Sequence, residues 1–456
     1  MTNNISAIMK GDGFNMRRIA VIILVVLMIL ALATAAFAGG PPPKNFKKGV
    51  FLEVDAAIGT ALFKANDSDQ PVTYMLGEVK ADDITLNSKV MMTFEEHDGQ
   101  TFIKTSEVMF LSLTLSRVIA LIVVGLVGGL LSGFIGSGGA FVLTPAMMSL
   151  GVPGAIAVAS NMCHKFPKAM VGAYKRYKYG QVDIKLGLVM AGSAIVGVQL
   201  GIYIQKFILN AWGNAGSNLY VSLVFVITLI VVGTYVLRDA FKTSKSGTED
   251  ITAKFAMKMQ KINIPPMIHF KTAGFKLSAW VTLPVGLATG MLAATIAVGG
   301  FIGVPGMIYI CGASAIVASA TELLIAFVMG AWGSFQWALS GLVDIRLTLL
   351  ILSASLIGVQ LGALGTTYVK DYTIKLVMSS VMLIVAVSRG AKIPGYLADL
   401  GWKAPLDPGT ATLLNGISFW ALILALGAAG IIITAAMIKG MAQAKAEDKV
   451  GAAKEA

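Results

Sequence analysis

The chain has 456 residues, of which 56% are hydrophobic and 13% charged, with 50 glycines and a formal net charge of +12. That balance is far from that of a soluble globular domain, and the basic residues gather in particular loops without forming an exposed stripe, which excludes a nucleic-acid binder. Two cysteines, both within apolar segments, and three histidines supply neither a disulfide framework nor a zinc-ligand set, so no cofactor and no metal are expected.

The N-terminal stretch "NMRRIAVIILVVLMILALATAAFAGG" places Arg17 and Arg18 before an apolar run that closes on Ala36-Phe37-Ala38. This is the layout of a secretory signal cleaved after Ala38, and the run is also long enough for an uncleaved anchor; residues 1–38 are read as one or the other. Either way, the segment that follows begins outside the cytoplasm. From residue 39 to 112 the composition turns polar and alternating, and Asp98-Gly99 between two alternating runs signals a hairpin. Residues 39–112 are therefore read as a small extracytoplasmic β-rich module, a cap or docking surface without a recognisable site.

Apolar runs of about 20 residues, each long enough to cross a hydrocarbon core about 30 Å thick, then follow in two sets. "GQVDIKLGLVMAGSAIVGVQLG" (180–201) and "GLVDIRLTLLILSASLIGVQLG" (341–362) match at 11 of 22 positions at an offset of 161. Upstream, "GGAFVLTP" (138–145) meets "VGGFIGVP" (298–305) at an offset of 160. The first copy, within 113–237, predicts helical segments over 117–136, 139–151, 155–174, 182–209 and 217–237. The second, within 277–389, predicts 277–298, 300–312, 314–337, 344–369 and 373–389, and a final transmembrane helix over 413–438 follows.

The lysines and arginines orient this chain. If the short segments cross, "YKRYKYG" and the basic linker 238–276 are cytoplasmic, as the positive-inside rule requires. The loop 390–412 is then extracytoplasmic and the tail 439–456 cytoplasmic. Five segments is an odd number, so the second copy enters the membrane upside down. Loop charges exchange accordingly: the repeat partner of "YKRYKYG", "FQWALSGL", carries none, while the partner of the uncharged "NAWGNAGSN" holds Lys370 and Lys375. The expected fold is an all-α polytopic membrane protein of two inverted repeats with short broken helices, plus the β-rich module. Alternating-access transporters have this pattern, and pseudo-symmetric channels share it.

In such folds the substrate site lies near the midplane, where broken helices leave backbone N–H groups facing a ligand. Gly136, Ser137, Gly138 and Gly139 in the first copy and Gly299 and Gly300 in the second each precede a short helix and form a candidate anion nest. Glycine also serves close helix approach. In "NMCHKFPKAM" (161–170), Ser160, Asn161, His164 and Lys168 share a helix stripe, with Lys165 beside it. At 1.5 Å per residue, His164 lies about 13 Å deep and Lys168 about 20 Å, so Lys168 can snorkel to the cytoplasm and His164 cannot. The second copy places Thr321 opposite Ser160 and Glu322 opposite Asn161, without lysines. An intramembrane carboxylate is costly and marks function, and His164 or Lys165 is its expected partner; the structural alternative is a buried ion pair that fixes helix register. Asp183 and Asp344 stand at helix starts, where N-capping suffices.

At these residues the sequence resembles the sulfite exporter TauE/SafE family of bacterial membrane transporters. The likeness rests on "GFIGSGGAFVLTPAMMSLGVPGAIAVASN", on "YGQVDIKLGLVMAGSAIVGVQLG" and on the weaker second copy, over roughly residues 117–389. The resemblance implies transport of small sulfur-containing anions such as sulfite or organosulfonates, often outward, across the bacterial inner membrane. The charged "NMCHKFPKAM", the β-rich module and the final helix depart from that pattern. The leading reading is a secondary transporter, not an enzyme, whose partners are a small anionic substrate and the lipid bilayer; a homo-oligomer is compatible with it. Gly136, Ser137, Gly138, Gly139, Gly299, Gly300, Ser160, Asn161, His164, Lys165, Lys168 and Thr321 would bind substrate, and His164 with Glu322 would couple. A membrane scaffold that recruits a partner through the β-rich module is the alternative. An enzyme using Cys163 and His164 is disfavoured, because adjacent helical residues point about 100° apart.

Overall fold

The structure is a computed structural model that describes residues 46–66, 68–84, 86, 88–97, 99–135, 139–246, 256–365 and 371–455. The signal or anchor segment 1–38, and with it Asp98, Gly136, Ser137, Gly138 and Lys370, lies outside the described residues.

The β-rich module is a closed five-stranded barrel. Its strands β1 (Phe46–Asp55), β2 (Thr60–Ala65), β3 (Val72–Leu76), β4 (Lys89–His97) and β5 (Gln100–Val108) run in the order β1-β2-β3-β5-β4, with β3 and β5 parallel. The alternation read from the sequence is the inside–outside period of a strand: in β2, Ala61, Phe63 and Ala65 point inward. They meet Phe51, Tyr74, Val90, Met92 and Ile103 in a separate small core. Closure removes the exposed edges that a sheet of this size would otherwise present. Gly99, with φ +76°, turns the β4–β5 hairpin. Met91 and Met109 leave the barrel core and join the helical one, so the module is docked on the membrane part.

The helical part contains α1 (Leu115–Ile135), the short α2 (Ala140–Ser149), α3 (Gly154–Lys178) and α4 (Ile184–Ser246). A two-stranded hairpin follows, β6 (Met267–Phe270) and β7 (Phe275–Ser278). After it come α5 (Ala279–Ile296), the short α6 (Gly300–Gly306) with a π-helical turn to Cys311, α7 (Ala315–Leu339), α8 (Ile345–Gly365), α9 (Asp371–Asp399) and α10 (Pro408–Glu455). Among the described residues, seven helices are long and apolar enough to cross a membrane. Helix α4 counts once among them but breaks at Trp212 and Gly213, whose φ +60° and ψ −158° only glycine adopts readily. The break falls in the loop expected between two segments, against Met91 of the barrel. The chain is a helical, multi-pass membrane protein.

The two copies make the same contacts with roles exchanged. A methyl group on Gly125 or Gly129 of α1 would run into the carbonyls of Ile351 or Ser355 of α8; on Gly286 or Gly290 of α5, into those of Met190 or Ala194 of α4. Gly358 and Gly362 of α8 lie as closely on the backbone of α1, and Gly197 and Gly201 of α4 on that of α5. Each member of one set has its counterpart 161 residues away in the other. The third helices cross antiparallel: Gly172 lies on Leu323, Gly333 on Met162, and the Arg176 side chain at the end of α3 reaches Ser319 at the start of α7. Phe141 and Phe301, also counterparts, stack on each other with ring centroids 4.9 Å apart.

Three boundaries differ from the sequence expectation. The first ten residues of the expected loop 390–412 are helical, because α9 continues to Asp399 while Ile393, Tyr396 and Leu397 pack on the core. The final helix runs over 408–455, well beyond 413–438. Within the basic linker, the hairpin turn is held by Asp183, whose Oδ2 accepts the backbone N–H groups of Thr272 and Ala273 at 2.9 and 3.0 Å while Oδ1 caps α4 at Leu186. Strands of four residues among lysines carry too little alternation to be seen.

Gly129→Leu and Gly290→Leu should each destabilise by about 1–3 kcal/mol or more through overpacking. Gly192→Ala, which meets open space, should be neutral. Thermal unfolding of the detergent-purified protein measures both.

Candidate functional site

Helix α3 carries the charged stretch into the centre of the bundle. Its start is fixed by Pro153 and by the Gly154 N–H, which donates to Asn218 Oδ1 at 2.6 Å. Ser160 and Thr321 tie each copy's third helix to the other copy: Ser160 Oγ accepts from the Asp344 N–H at 3.0 Å, and Thr321 Oγ1 from the Asp183 N–H at 3.1 Å. Both hydroxyls are thus engaged at helix starts. Asp344 is closed by Arg346, at 2.8 Å.

Asn161 organises the next layer. Its amide donates to the Ala140 carbonyl at 3.1 Å and to Thr144 Oγ1 at 2.8 Å, which locks the short helix α2 to α3. Its Oδ1 lies 2.9 Å from His164 Nδ1. With the amide nitrogen spent on acceptors, that oxygen only accepts, so Nδ1 of His164 carries a hydrogen. The other ring nitrogen, Nε2, faces Ser355 Oγ of α8 at 3.1 Å. His164 is therefore held at both nitrogens by neutral groups and is not paired with Glu322.

Lys165, Lys168 and Glu322 form the remainder. All three are buried, at 5%, 5% and 2% exposure, and among the described residues neither ammonium nor either carboxylate oxygen has a hydrogen-bond partner. Lys165 interacts electrostatically with both Glu322 and Lys168, but no direct ion pair closes between Lys165 and Glu322. Lys168 does not snorkel to the surface; its Nζ is enclosed, because α3 lies inside the bundle between α7, α8 and α2. The Glu322 carboxylate rests on Gly303 of α6, where any side chain would displace it. The counterparts of His164, Lys165 and Lys168 are Ile325, Ala326 and Met329, so the positive charge belongs to one copy alone. Enclosing unpaired charge costs several kcal/mol per ion even after relaxation. A structural ion pair would have closed to contact.

Of the expected nest, Gly139, Gly299 and Gly300 are among the described residues. Gly139 sits against the carbonyl of Gly128, and Gly299 against Met329 and the Thr289 carbonyl, so both allow the short helices to approach their neighbours. Gly300 is buried at the start of α6. Thr144, Ser355 and Gly303 are site residues that the sequence reading missed. For the first two the signal was a single hydroxyl in an apolar run.

A model of the sulfite exporter TauE/SafE family matches residues 121–389. The chain belongs to this family. It is also similar to two proteins of Bacillus subtilis (strain 168). It is 24% identical over 266 residues to the probable membrane transporter protein YdhB, covering 57% of this chain and 94% of YdhB. To the probable membrane transporter protein YunE it is 22% identical over 277 residues, covering 59% and 95%. No solved structure matches. The TauE/SafE region holds both copies and all the residues above, whereas the barrel and α10 lie outside it. The chain is a membrane transporter.

Asn161→Ala removes the amide that bonds the Ala140 carbonyl and Thr144 Oγ1 and leaves His164 Nδ1 only the backbone carbonyl of residue 161, at 3.1 Å; it should cost about 1–3 kcal/mol, read as a lowered unfolding temperature. Ser355→Ala should cost less, since it leaves His164 held at Nδ1.

Proposed function

We propose that this protein moves a small sulfur-containing anion, sulfite or an organosulfonate, outward across the bacterial inner membrane, by alternating access between two inverted repeats. One observation carries the reading: two unpaired ammonium groups and one carboxylate are enclosed where the antiparallel third helices of the copies cross. Two cations and one carboxylate leave one positive charge in excess. A bound monoanion brings the site to neutrality, and a dianion does so with one proton, for which Glu322 is the acceptor. Lys165 exchanges its electrostatic partner, from Glu322 to the anion, when substrate arrives. His164, fixed in one tautomer by Asn161, ties α3 to Ser355 of α8 beside the cluster. The exchanged contacts and the antiparallel α3–α7 pair support the inverted arrangement, and the family description supports the substrate class.

Sulfite flux into proteoliposomes tests this. Lys165→Gln and Lys168→Gln should each lower flux by roughly tenfold or more, the effect of losing about 1.4 kcal/mol of anion binding. Glu322→Gln should abolish the response of flux to an imposed pH gradient. Unchanged flux and apparent affinity in both lysine variants would show that the anion binds elsewhere.

A further inference from the structure

Arg389 of α9 is completely enclosed, and its counterpart in the first copy is Thr228, so this charge too belongs to one copy. Its Nη2 donates to Ser149 Oγ, the last residue of the short helix α2, to Ser418 Oγ of α10 at 3.2 Å and to Ser388 Oγ at 3.4 Å. Among the described residues, Nε and Nη1 have no acceptor. A clamp joining α2, α9 and α10 needs only the Nη2 bonds and leaves the remaining N–H groups unexplained. Guanidinium stays charged in proteins, yet the groups in electrostatic reach are the Tyr396 phenol and a second cation, Lys392. Three serine hydroxyls, a phenol and a like charge around a buried cation offer nothing to neutralise it.

Beside it, α9 and α10 part to form a cleft of about 420 Å³ whose walls carry Lys392, Tyr396, Asn415 and the carboxylate of Asp399, which lies in electrostatic reach of Lys392. Residues 389, 392 and 396 follow one face of α9, so the cleft opens one turn from Arg389. On the inner side, Ser149 is five residues beyond Thr144, about 7.5 Å along α2 at 1.5 Å per residue. Arg389 therefore stands between this cleft and the Asn161–Thr144 layer. Charge-assisted bonds from guanidinium N–H groups to oxyanions are among the strong ones.

We infer that Arg389, reached past Lys392 through the α9–α10 cleft, is a second oxyanion site, distinct from the Lys165–Lys168 cluster. It takes either the transported anion or the phosphate of an anionic lipid, and it rests on the proposed function only for the identity of the free anion. Calorimetric titration of the full chain with sodium sulfite, in nanodiscs of phosphatidylcholine, tests it, alongside native mass spectrometry of retained phosphatidylglycerol. If the free anion fills the site, wild type binds two sulfites and Arg389→Gln binds one, with the other affinity unchanged within about threefold. If lipid fills it, wild type retains a phosphatidylglycerol that Arg389→Gln loses, at unchanged sulfite stoichiometry. Lys392→Gln, at the cleft wall, should weaken the same event about threefold and serves should Arg389→Gln not fold. The Lys165→Gln/Lys168→Gln double variant should keep the Arg389 site; if it keeps both sulfite sites, the central assignment fails and this one stands. Wild-type sulfite stoichiometry, affinity and lipid retention in both Arg389→Gln and Lys392→Gln would overturn the proposal.

Discussion

Everything in the helical part depends on backbone meeting backbone at two seams, α1 on α8 and α4 on α5. Between helices in hydrocarbon there is no hydrophobic driving force, so association rests on close packing, and glycine is the residue that allows it. Gly125, Gly129, Gly358 and Gly362 serve one seam, and Gly286, Gly290, Gly197 and Gly201 serve the other. With the outer helices locked this tightly, the short helices α2 and α6 are pressed inward until Phe141 meets Phe301. The third helices α3 and α7 then cross where the copies meet. Small residues on the seams thus decide where the charged ones are enclosed.

Onto this near-symmetric frame the chain places asymmetric charge. The positions that hold His164, Lys165 and Lys168 in one copy hold Ile325, Ala326 and Met329 in the other, while Asn161 is matched by Glu322. The Asn161 side chain is bonded through both its nitrogen and its oxygen, whereas the charged ends of Lys165, Lys168 and Glu322 have no hydrogen-bond partner among the described residues. Fully bonded polar layers specify a structure, and unbonded buried ions are a cost that packing must carry. Within α3 the contrast separates Asn161, which holds the helix in place, from the two lysines, which in the proposed function meet the anion. In the proposed cycle the frame supplies two interconvertible arrangements and the charges make one of them respond to an anion.

Much of this was legible in the sequence, and the reason is physical. The duplication survives as a constant offset because both copies build the same seams, and "GVQLG" recurs where α4 and α8 each need two close approaches. The charged stretch in α3 announced itself because ionisable residues are rare in hydrocarbon. Other features were hidden. Closure of the barrel through parallel β3 and β5 is a long-range pairing that alternation does not encode. The enclosure of Lys168 depends on which helices surround α3, and depth along a single helix suggested escape to the surface. Gly139 and Gly299 resemble an anion nest locally, but their neighbours turn them to packing. Arg389 was not singled out: it closed the expected helix 373–389, and its enclosure depends on α2 and α10, which that helix alone does not reveal.

The central claim is that the anion sits beside His164 and Lys165 and that this place opens to each side in turn. Ser355 faces His164 Nε2 and reports on it directly. In a chain with Cys163 and Cys311 replaced by alanine, Ser355→Cys should be labelled in proteoliposomes by a membrane-impermeant thiol reagent applied from either face. Saturating sulfite should slow both reactions. Labelling from both faces at a rate indifferent to sulfite, or from neither face under any condition, would contradict the account.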